Sequence, residues 1–271
     1  MNQSSSGTDK ANSIINCHLL TGRIGRPGAG PFSITGQPNA MGGREVGGLA
    51  NTLAAHMELE RPDHRRIVQE FWGSPRIAPK PGYKAVDLFK AIHAGRVKAV
   101  WIAATNPVVS LPNANRARTA LRRCDLVVVS DCVADTDTTA LAHVLLPAAA
   151  WGEKEGTVTN SERCISRQRA FLAAPGDAKP DWWIFSEVAK RMGFEQGFAY
   201  ACARDIFIEH ARLSAVGNDG SRAFDIGGLG TLRQDEYSAL LPTRWPVPAG
   251  PRPAAPRNTP PRLFADGRFF H

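Results

Sequence analysis

The chain of 271 residues reads as an α/β protein built on a Rossmann-like parallel sheet with flanking helices. Two apolar runs, Lys98–Thr105 and Leu126–Ser130, are bracketed by turn residues and separated by an Ala/Leu/Arg-rich segment long enough for one helix, the pattern of a βαβ unit. A third run, Val144–Leu146, follows and stops at Pro147. Parallel strands covered on both faces are nearly continuous in apolar residues, and ligands sit at their carboxyl ends. At those ends stand Thr105-Asn106-Pro107, Ser130-Asp131 and, a few residues beyond the third run, Glu153-Lys154-Glu155-Gly156.

In chain order, Thr8 is placed to cap a helix running to about Leu20, with Ala11, Ile14, Ile15, Cys17 and Leu19 as its apolar face and Gly22 ending it. Gly and Pro are dense between Gly22 and Gly43, which predicts a long ordered loop, and such loops inside compact domains tend to be functional. Val46, Leu49 and Leu53 recur at helical spacing, so the loop is expected to feed a helix from Arg44 to about His56, whose N-terminus favours anions. Residues 58–82 carry four prolines and read as a surface excursion with at most a short helix at 63–72. Tyr83–Ala94 is a helix with Val86, Phe89 and Ile92 on one face, leading into the first strand. Asp181 is placed to cap a helix to Met192, and Ile184, Val188 and Met192 follow at i, i+4, i+8. Asp205–Leu213 looks helical and Asp235–Leu241 weakly so, while Pro242–Pro261 has no periodicity and reads as an extended linker.

Composition narrows the function classes. No apolar run approaches the roughly 18 residues that span a bilayer. The N-terminus lacks a basic segment followed by an apolar one, so a cytoplasmic protein without a membrane partner is expected. Five scattered cysteines form no C-x-x-C pair and encode neither a disulfide framework nor a metal knuckle. The net charge of +8 is spread without a basic run, which reads as a solvated surface suited to small anions and argues against a nucleic-acid role. The signatures of nucleophilic hydrolases, zinc proteases, P-loops and dinucleotide-binding glycine loops are absent from the sequence, and its seven histidines are isolated. Chemistry here has to come from a cofactor that the protein binds and orients.

Taken as residues alone, the strand-end side chains keep two readings each. Asp131 suits the amino and imino edge of a guanine, and equally a turn or cap. Lys154 lies between two glutamates and suits a surface ion pair or a ligand contact. Asn106, before proline, fits a turn or a ligand amide, and Asp181 fits a cap or a ligand. Arg44 could offer a planar anion a fork of donors, or pair with Glu45 at a helix start.

The words quoted above, in their order, closely resemble the molybdopterin oxidoreductases of the dimethyl sulfoxide reductase superfamily. TGRIGRPGAGPFSITGQPNAMGGREVGG at Thr21–Gly48 is similar to their nitrate reductases, most of all the bacterial assimilatory type. With NQSSSGTDK at the front and PGDAKPDWW at 175–183, the resemblance covers about residues 2 to 195. It implies the fold of domains 1–3 of the formate dehydrogenase and dimethyl sulfoxide reductase type, incomplete here. It implies a bis(molybdopterin guanine dinucleotide) molybdenum cofactor contacted at the positions of Gln3, Asn106, Ser130, Asp131, Lys154 and Asp181. Gln37, Asn39, Met41 and Arg44 are the corresponding candidates for the wall of a nitrate pocket. The intact family enzyme also carries a 4Fe-4S cluster fed by an electron-donor protein or domain, and no residue of this sequence matches its ligands. Two positions depart from the family: Cys164 stands where a second arginine is common, and His143 where many members have aspartate.

The resulting expectation is the central portion of a molybdenum-dependent nitrate reductase, inactive as an isolated chain. It divides into 1–82 with the Gly/Pro-rich loop, a guanine-dinucleotide-binding domain at 83–195, a helical extension at 196–241, and a Pro-rich linker at 242–271 toward a cofactor-binding barrel. A formate dehydrogenase-type enzyme, a non-catalytic scaffold of the same fold and a free-standing nucleotide-binding module are the alternatives. The TGQPNAMGGREVGG loop favours nitrate over formate, and the retained Asp131, Lys154 and Asp181 argue against a scaffold.

Overall fold

A computed structural model describes residues 6–32 and 36–250, so Gln3 lies outside the described residues. Two compact units divide the chain, Met1–Pro38 and Asn39–His271. In the first, helix α1 (Gly7–Leu20) forms as its periodicity predicts, but Ser6 occupies the cap position, no side chain caps it, and Thr8 lies within its first turn. Its closing turn is tied by the Thr21 hydroxyl donating to the Cys17 carbonyl at 2.8 Å. The expected packing face is not buried: Ile14, Ile15, Leu19 and Leu20 are exposed.

The second unit opens with α2 (Ala40–Glu45), so the predicted loop ends earlier than Gly43. Gly42 lets the Asn39 amide lie against this helix, in the space a Cβ would take. The helix expected over residues 44–56 does not exist. Gly47 takes φ +77° against the Leu53 backbone, and the chain turns into a hairpin of β1 (Thr52–Leu53) and β2 (Met57–Glu58). Val46 and Leu49, two of the residues that suggested a helical face, are exposed. Helix α3 (Pro62–Trp72) follows with Pro62 in its first turn, where the missing N–H costs nothing, and it buries Val68 and His64.

The predicted parallel sheet is present. Helix α4 (Ala85–His93) leads into β3 (Ala99–Ala103); a short α5 (Pro107–Ser110) and α6 (Ala114–Arg123) connect it to β4 (Leu126–Asp131), and β5 (Val144–Pro147) completes the order β3-β4-β5. Both pairings are parallel, with Ile102 opposite Val129 and Asp131 opposite Pro147. Ile102, Val127 and Val129 bury one face against Phe89 and Ile92 of α4 and Ala117, Ala120 and Leu121 of α6. On alternate residues, Trp101 faces the other way and meets the Phe185 ring at 4.5 Å. Phe185 belongs to α7 (Asp181–Arg191).

A second core lies outside the predicted organisation. Strands β6 (Gly156–Thr159), β7 (Cys164–Gln168) and β8 (Thr243–Arg244) form an antiparallel sheet. Its core gathers Met57, Val68 and Ile165 with Phe207, Ala211 and Leu213 of α8 (Ala203–Ala215), Phe224, Ile226, Tyr237 of α9 (Gln234–Ser238), and Trp245. Helices α8 and α9 match the helical readings beyond residue 195. The linker reading is corrected for residues 242–250: Trp245 is buried, and Val247 donates its N–H to the Asp225 carbonyl at 2.7 Å while accepting from Gly228 at 2.8 Å. Backbone anchored by one buried indole and two main-chain hydrogen bonds leaves no periodicity to read. The rest of that linker, 251–271, lies outside the described residues.

Candidate functional site

The carboxyl ends of the three parallel strands are brought into line by their register, which pairs Ala103 with Ser130 and Asp131 with Pro147. Beyond β3 the chain turns at Ala104, whose φ of +53° is uncommon for a residue with a side chain. Asn106 then takes the cap position of α5. Its side chain does not cap; Asn106 Oδ1 accepts a hydrogen bond of 2.6 Å from the Thr138 hydroxyl. Thr138 Oγ1 in turn accepts from the Val108 N–H at 3.2 Å.

Ser130 and Asp131 end β4 on opposite faces. The Ser130 hydroxyl is buried, accepting the Trp101 indole N–H at 2.5 Å, and so is withdrawn from the edge. Asp131 makes the turn its residue type suggests, Oδ1 accepting from the Val133 N–H at 3.0 Å, while Oδ2 has no hydrogen-bond partner among the described residues.

The sheet is extended at its β5 edge by Lys179, bridged in parallel to Ala148, with Lys179 N donating to Pro147 O at 3.1 Å and Ala149 N to Lys179 O at 2.9 Å. Two residues later α7 begins. Asp181 is its first residue, not its cap, a position held by Pro180, and the carboxylate pairs with Lys154 Nζ at 2.5 Å. Both side chains are 27% exposed, so the pair is reachable yet partly shielded. Lys154 does not pair with its neighbours. Glu153 Oε2 accepts from the Ala150 N–H at 2.8 Å, and Glu155 stands 3.6 Å from Arg167.

Asn106, Asp131 and the Lys154–Asp181 pair thus stand at the carboxyl edge of one sheet and offer an amide, an unpaired carboxylate oxygen and a charge pair. This set offers hydrogen-bond donors and acceptors to a polar ligand. Among the described residues no cluster of three or more His, Cys, Asp or Glu could hold a metal ion.

The loop candidates separate. Asn39 Oδ1 accepts from the Thr159 N–H at 2.8 Å, and Met41 packs against the second core. Gln37 belongs to the first unit and is exposed. Arg44 is exposed at the end of α2. It does not pair with Glu45, which points inward: 4% exposed, it accepts from the Trp245 indole at 2.7 Å and the Thr159 hydroxyl at 2.8 Å. Burial raises the Glu45 pKa, and these two hydrogen bonds oppose the rise. His56 has its pKa lowered by burial and then by the Arg44 charge. A cavity of about 310 Å³ lined by His56, Glu58, Asp63, His64 and Arg222 among others includes none of the predicted site residues. Two of its polar side chains are engaged: His64 Nδ1 accepts from Glu58 N at 2.9 Å, and the Arg222 guanidinium donates to the carbonyls of Ser214, Val216 and Gly217.

Thr138, Glu45 and Trp245 are absent from the sequence-derived set. Thr138 had a weak signal, the run Thr136-Asp137-Thr138-Thr139 after a strand; Glu45 and Trp245, separated by 200 positions, had none. His143, a departure from the family pattern, holds the sheet: its Nδ1 accepts from Val127 N at 2.9 Å. The other departure, Cys164, pairs with Arg244 in the β7–β8 register.

Residues 1–191 match the family model described as molybdopterin oxidoreductase. A nitrate reductase of Klebsiella oxytoca is 61% identical over 247 residues, 91% of this chain and 28% of that protein. A nitrate reductase of Shewanella frigidimarina is 51% identical over 99% of this chain and 28% of its own length. The assimilatory nitrate reductase catalytic subunit of Bacillus subtilis is 34% identical over 94% of this chain and 35% of its own. The chain therefore spans about a third or less of these relatives. Among solved structures, acetylene hydratase from Pelobacter acetylenicus overlays 60% of this chain and 21% of its own at a TM-score of 0.47 and 23% identity.

Proposed function

Because the chain belongs to the molybdopterin oxidoreductase family, we propose that it is the central part of a molybdenum-dependent nitrate reductase and that its strand-end edge binds one guanine end of bis(molybdopterin guanine dinucleotide). The observation that carries this reading is the gathering of Asn106, Asp131 and the Lys154–Asp181 pair at the carboxyl edge of one parallel sheet. Asp131 accepts from the donor-rich edge of the base through its open oxygen. Lys154, held by Asp181, donates to the dinucleotide, and Asn106 contributes its amide. When bound, the cofactor would supply two-electron removal of one oxygen from nitrate, which with two protons from solvent gives nitrite and water, the electrons coming from a donor protein or domain through an iron–sulfur cluster.

This chain's residues orient and do not react. Of the loop candidates, Arg44 suits an anion best, a reading supported by its exposure and by the inward commitment of its neighbour Glu45. The five free cysteines suit a reducing compartment, which supports placing the activity in the cytoplasm.

Two measurements on the intact enzyme test the proposal. Guanosine monophosphate releasable by acid should be lost from the purified protein about tenfold faster on dilution in Asp131→Ala, the loss of one or two hydrogen bonds to a charged group. A loaded enzyme that releases none does not use the guanine form. Arg44→Lys should lower kcat/KM for nitrate at unchanged molybdenum content, since the charge stays and the fork is lost. An unchanged kcat/KM would remove Arg44 from the pocket.

A further inference from the structure

The hydrogen bond between Thr138 and Asn106 decides which end of the Asn106 amide faces a ligand. Thr138 is 1% exposed, and its hydroxyl has a single proton to give. Val108 N–H can only donate, so the contact of 3.2 Å occupies a Thr138 lone pair and leaves the proton free to be directed elsewhere. At 2.6 Å, Asn106 Oδ1 is the one hydrogen-bond acceptor Thr138 Oγ1 has among the described residues. The reversed amide would turn an N–H toward Thr138 and strand its proton in a buried position. The support on both sides is fixed. Thr136 N donates to Thr139 Oγ1 at 2.7 Å and Thr139 N to Thr136 Oγ1 at 3.0 Å, while Pro107 pins the chain after Asn106 in the first turn of α5.

We propose that Thr138 is a positioning residue for the cofactor: by holding Asn106 Oδ1 inward, it presents Asn106 Nδ2 at the strand-end edge as a hydrogen-bond donor to an acceptor oxygen of the bound dinucleotide. This rests on the cofactor reading above and adds a polarity to it. Asn106 offers a donor where Asp131, one strand over, offers an acceptor, so the edge sets the direction in which the ligand's polar groups are read.

The test uses the intact enzyme, with acid-released guanosine monophosphate per polypeptide and the thermal midpoint measured side by side. Thr138→Val should weaken the hold on the cofactor about tenfold, the effect of losing one oriented hydrogen bond, read as faster loss of acid-releasable guanosine monophosphate on dilution, and Thr138→Ser should hold it within about twofold of wild type. Asn106→Asp keeps an acceptor for Thr138 but has no donor to present, so it should lose as much as Thr138→Val. The double variant Thr138→Val/Asn106→Asp should lose no more than Asn106→Asp alone. Wild-type retention in Thr138→Val with only a lowered thermal midpoint would overturn the inference, as would a double variant whose losses multiply. If Thr138→Val does not fold, Thr138→Ser and Asn106→Asp decide: retention lost in the first or kept in the second overturns it. A wild-type enzyme that carries molybdenum and releases no guanosine monophosphate would instead overturn the cofactor reading itself.

Discussion

Replacing Glu45 with alanine removes the acceptor of two hydrogen bonds, 2.7 Å from the Trp245 indole and 2.8 Å from the Thr159 hydroxyl. Trp245 and Thr159 are 5% and 3% exposed, so bulk water does not reach either donor. Each stranded donor costs about 1–3 kcal/mol, and the truncated side chain adds a void, giving a predicted loss of about 3–5 kcal/mol. Glutamine keeps an acceptor for the indole, and the Thr159 hydroxyl can rotate to accept from its amide, so Glu45→Gln should cost about 1 kcal/mol near neutrality. The pH dependence separates charge from shape. Burial raises the Glu45 pKa, so the folded state holds the proton more tightly than the unfolded one. The resulting stabilisation is fully present below the ordinary carboxylate range and is lost as pH rises through the raised folded value. Urea unfolding followed by tryptophan fluorescence should therefore show the gap between wild type and Glu45→Gln narrowing from acid to neutral pH. A Glu45→Ala variant within about 1 kcal/mol of wild type would refute the reasoning, as would a gap that widens with pH.

Gly47→Ala should lower stability by at least about 2 kcal/mol, since the left-handed conformation is unfavourable for alanine and its Cβ would lie 2.5 Å from the Leu53 carbonyl carbon; an unchanged melting temperature would show that the hairpin accommodates it. Leu121→Ala empties a fully buried position against the parallel sheet and should cost about 2–5 kcal/mol in urea unfolding, with a smaller loss showing that α4 and α6 collapse into the space. His210, half-buried with its ring Nε2 enclosed and stacked on Phe224, has its pKa lowered from 6.5 to about 4 by desolvation and then by His56. Its contribution to stability is present above the ordinary histidine value and is lost as pH falls toward about 4. His210→Phe should flatten that slope, and an imidazole titrating near its ordinary value by NMR would contradict the burial account.

The parallel sheet was legible because strands covered on both faces leave continuous apolar runs, and Lys98–Thr105 and Leu126–Ser130 are such runs. Asn106, Asp131, Lys154 and Asp181 were legible as strand-end residues and by resemblance. The contact between Lys154 and Asp181 was not, because it depends on Lys179 joining the β5 edge 32 residues after Pro147. The segment after Arg44 failed for a different reason. Its helical spacing was real, but Gly47 fixes a backbone turn that spacing cannot express, and Val46 and Leu49 stay exposed. Glu45 looked like half of a surface charge pair with Arg44, since nothing local announces partners at Thr159 and Trp245. Antiparallel strands as short as β8 carry too few residues for alternation to be read.

The Glu45–Trp245 contact spans 200 positions, whereas the β3–β4 pairing joins Ala99 to Leu126. Closing the longer loop from a disordered chain costs about 2 kcal/mol more in entropy than closing the shorter one. The parallel layer is therefore able to assemble from its own local contacts while the second core still waits for residues near its far end. During synthesis, α2 and its inward carboxylate emerge long before the indole that accepts its company. Until Trp245 arrives, the docked position of α2 would bury a charge short of one donor, so that helix is expected to stay undocked and gain protection from hydrogen exchange late, together with β8 and after the sheet.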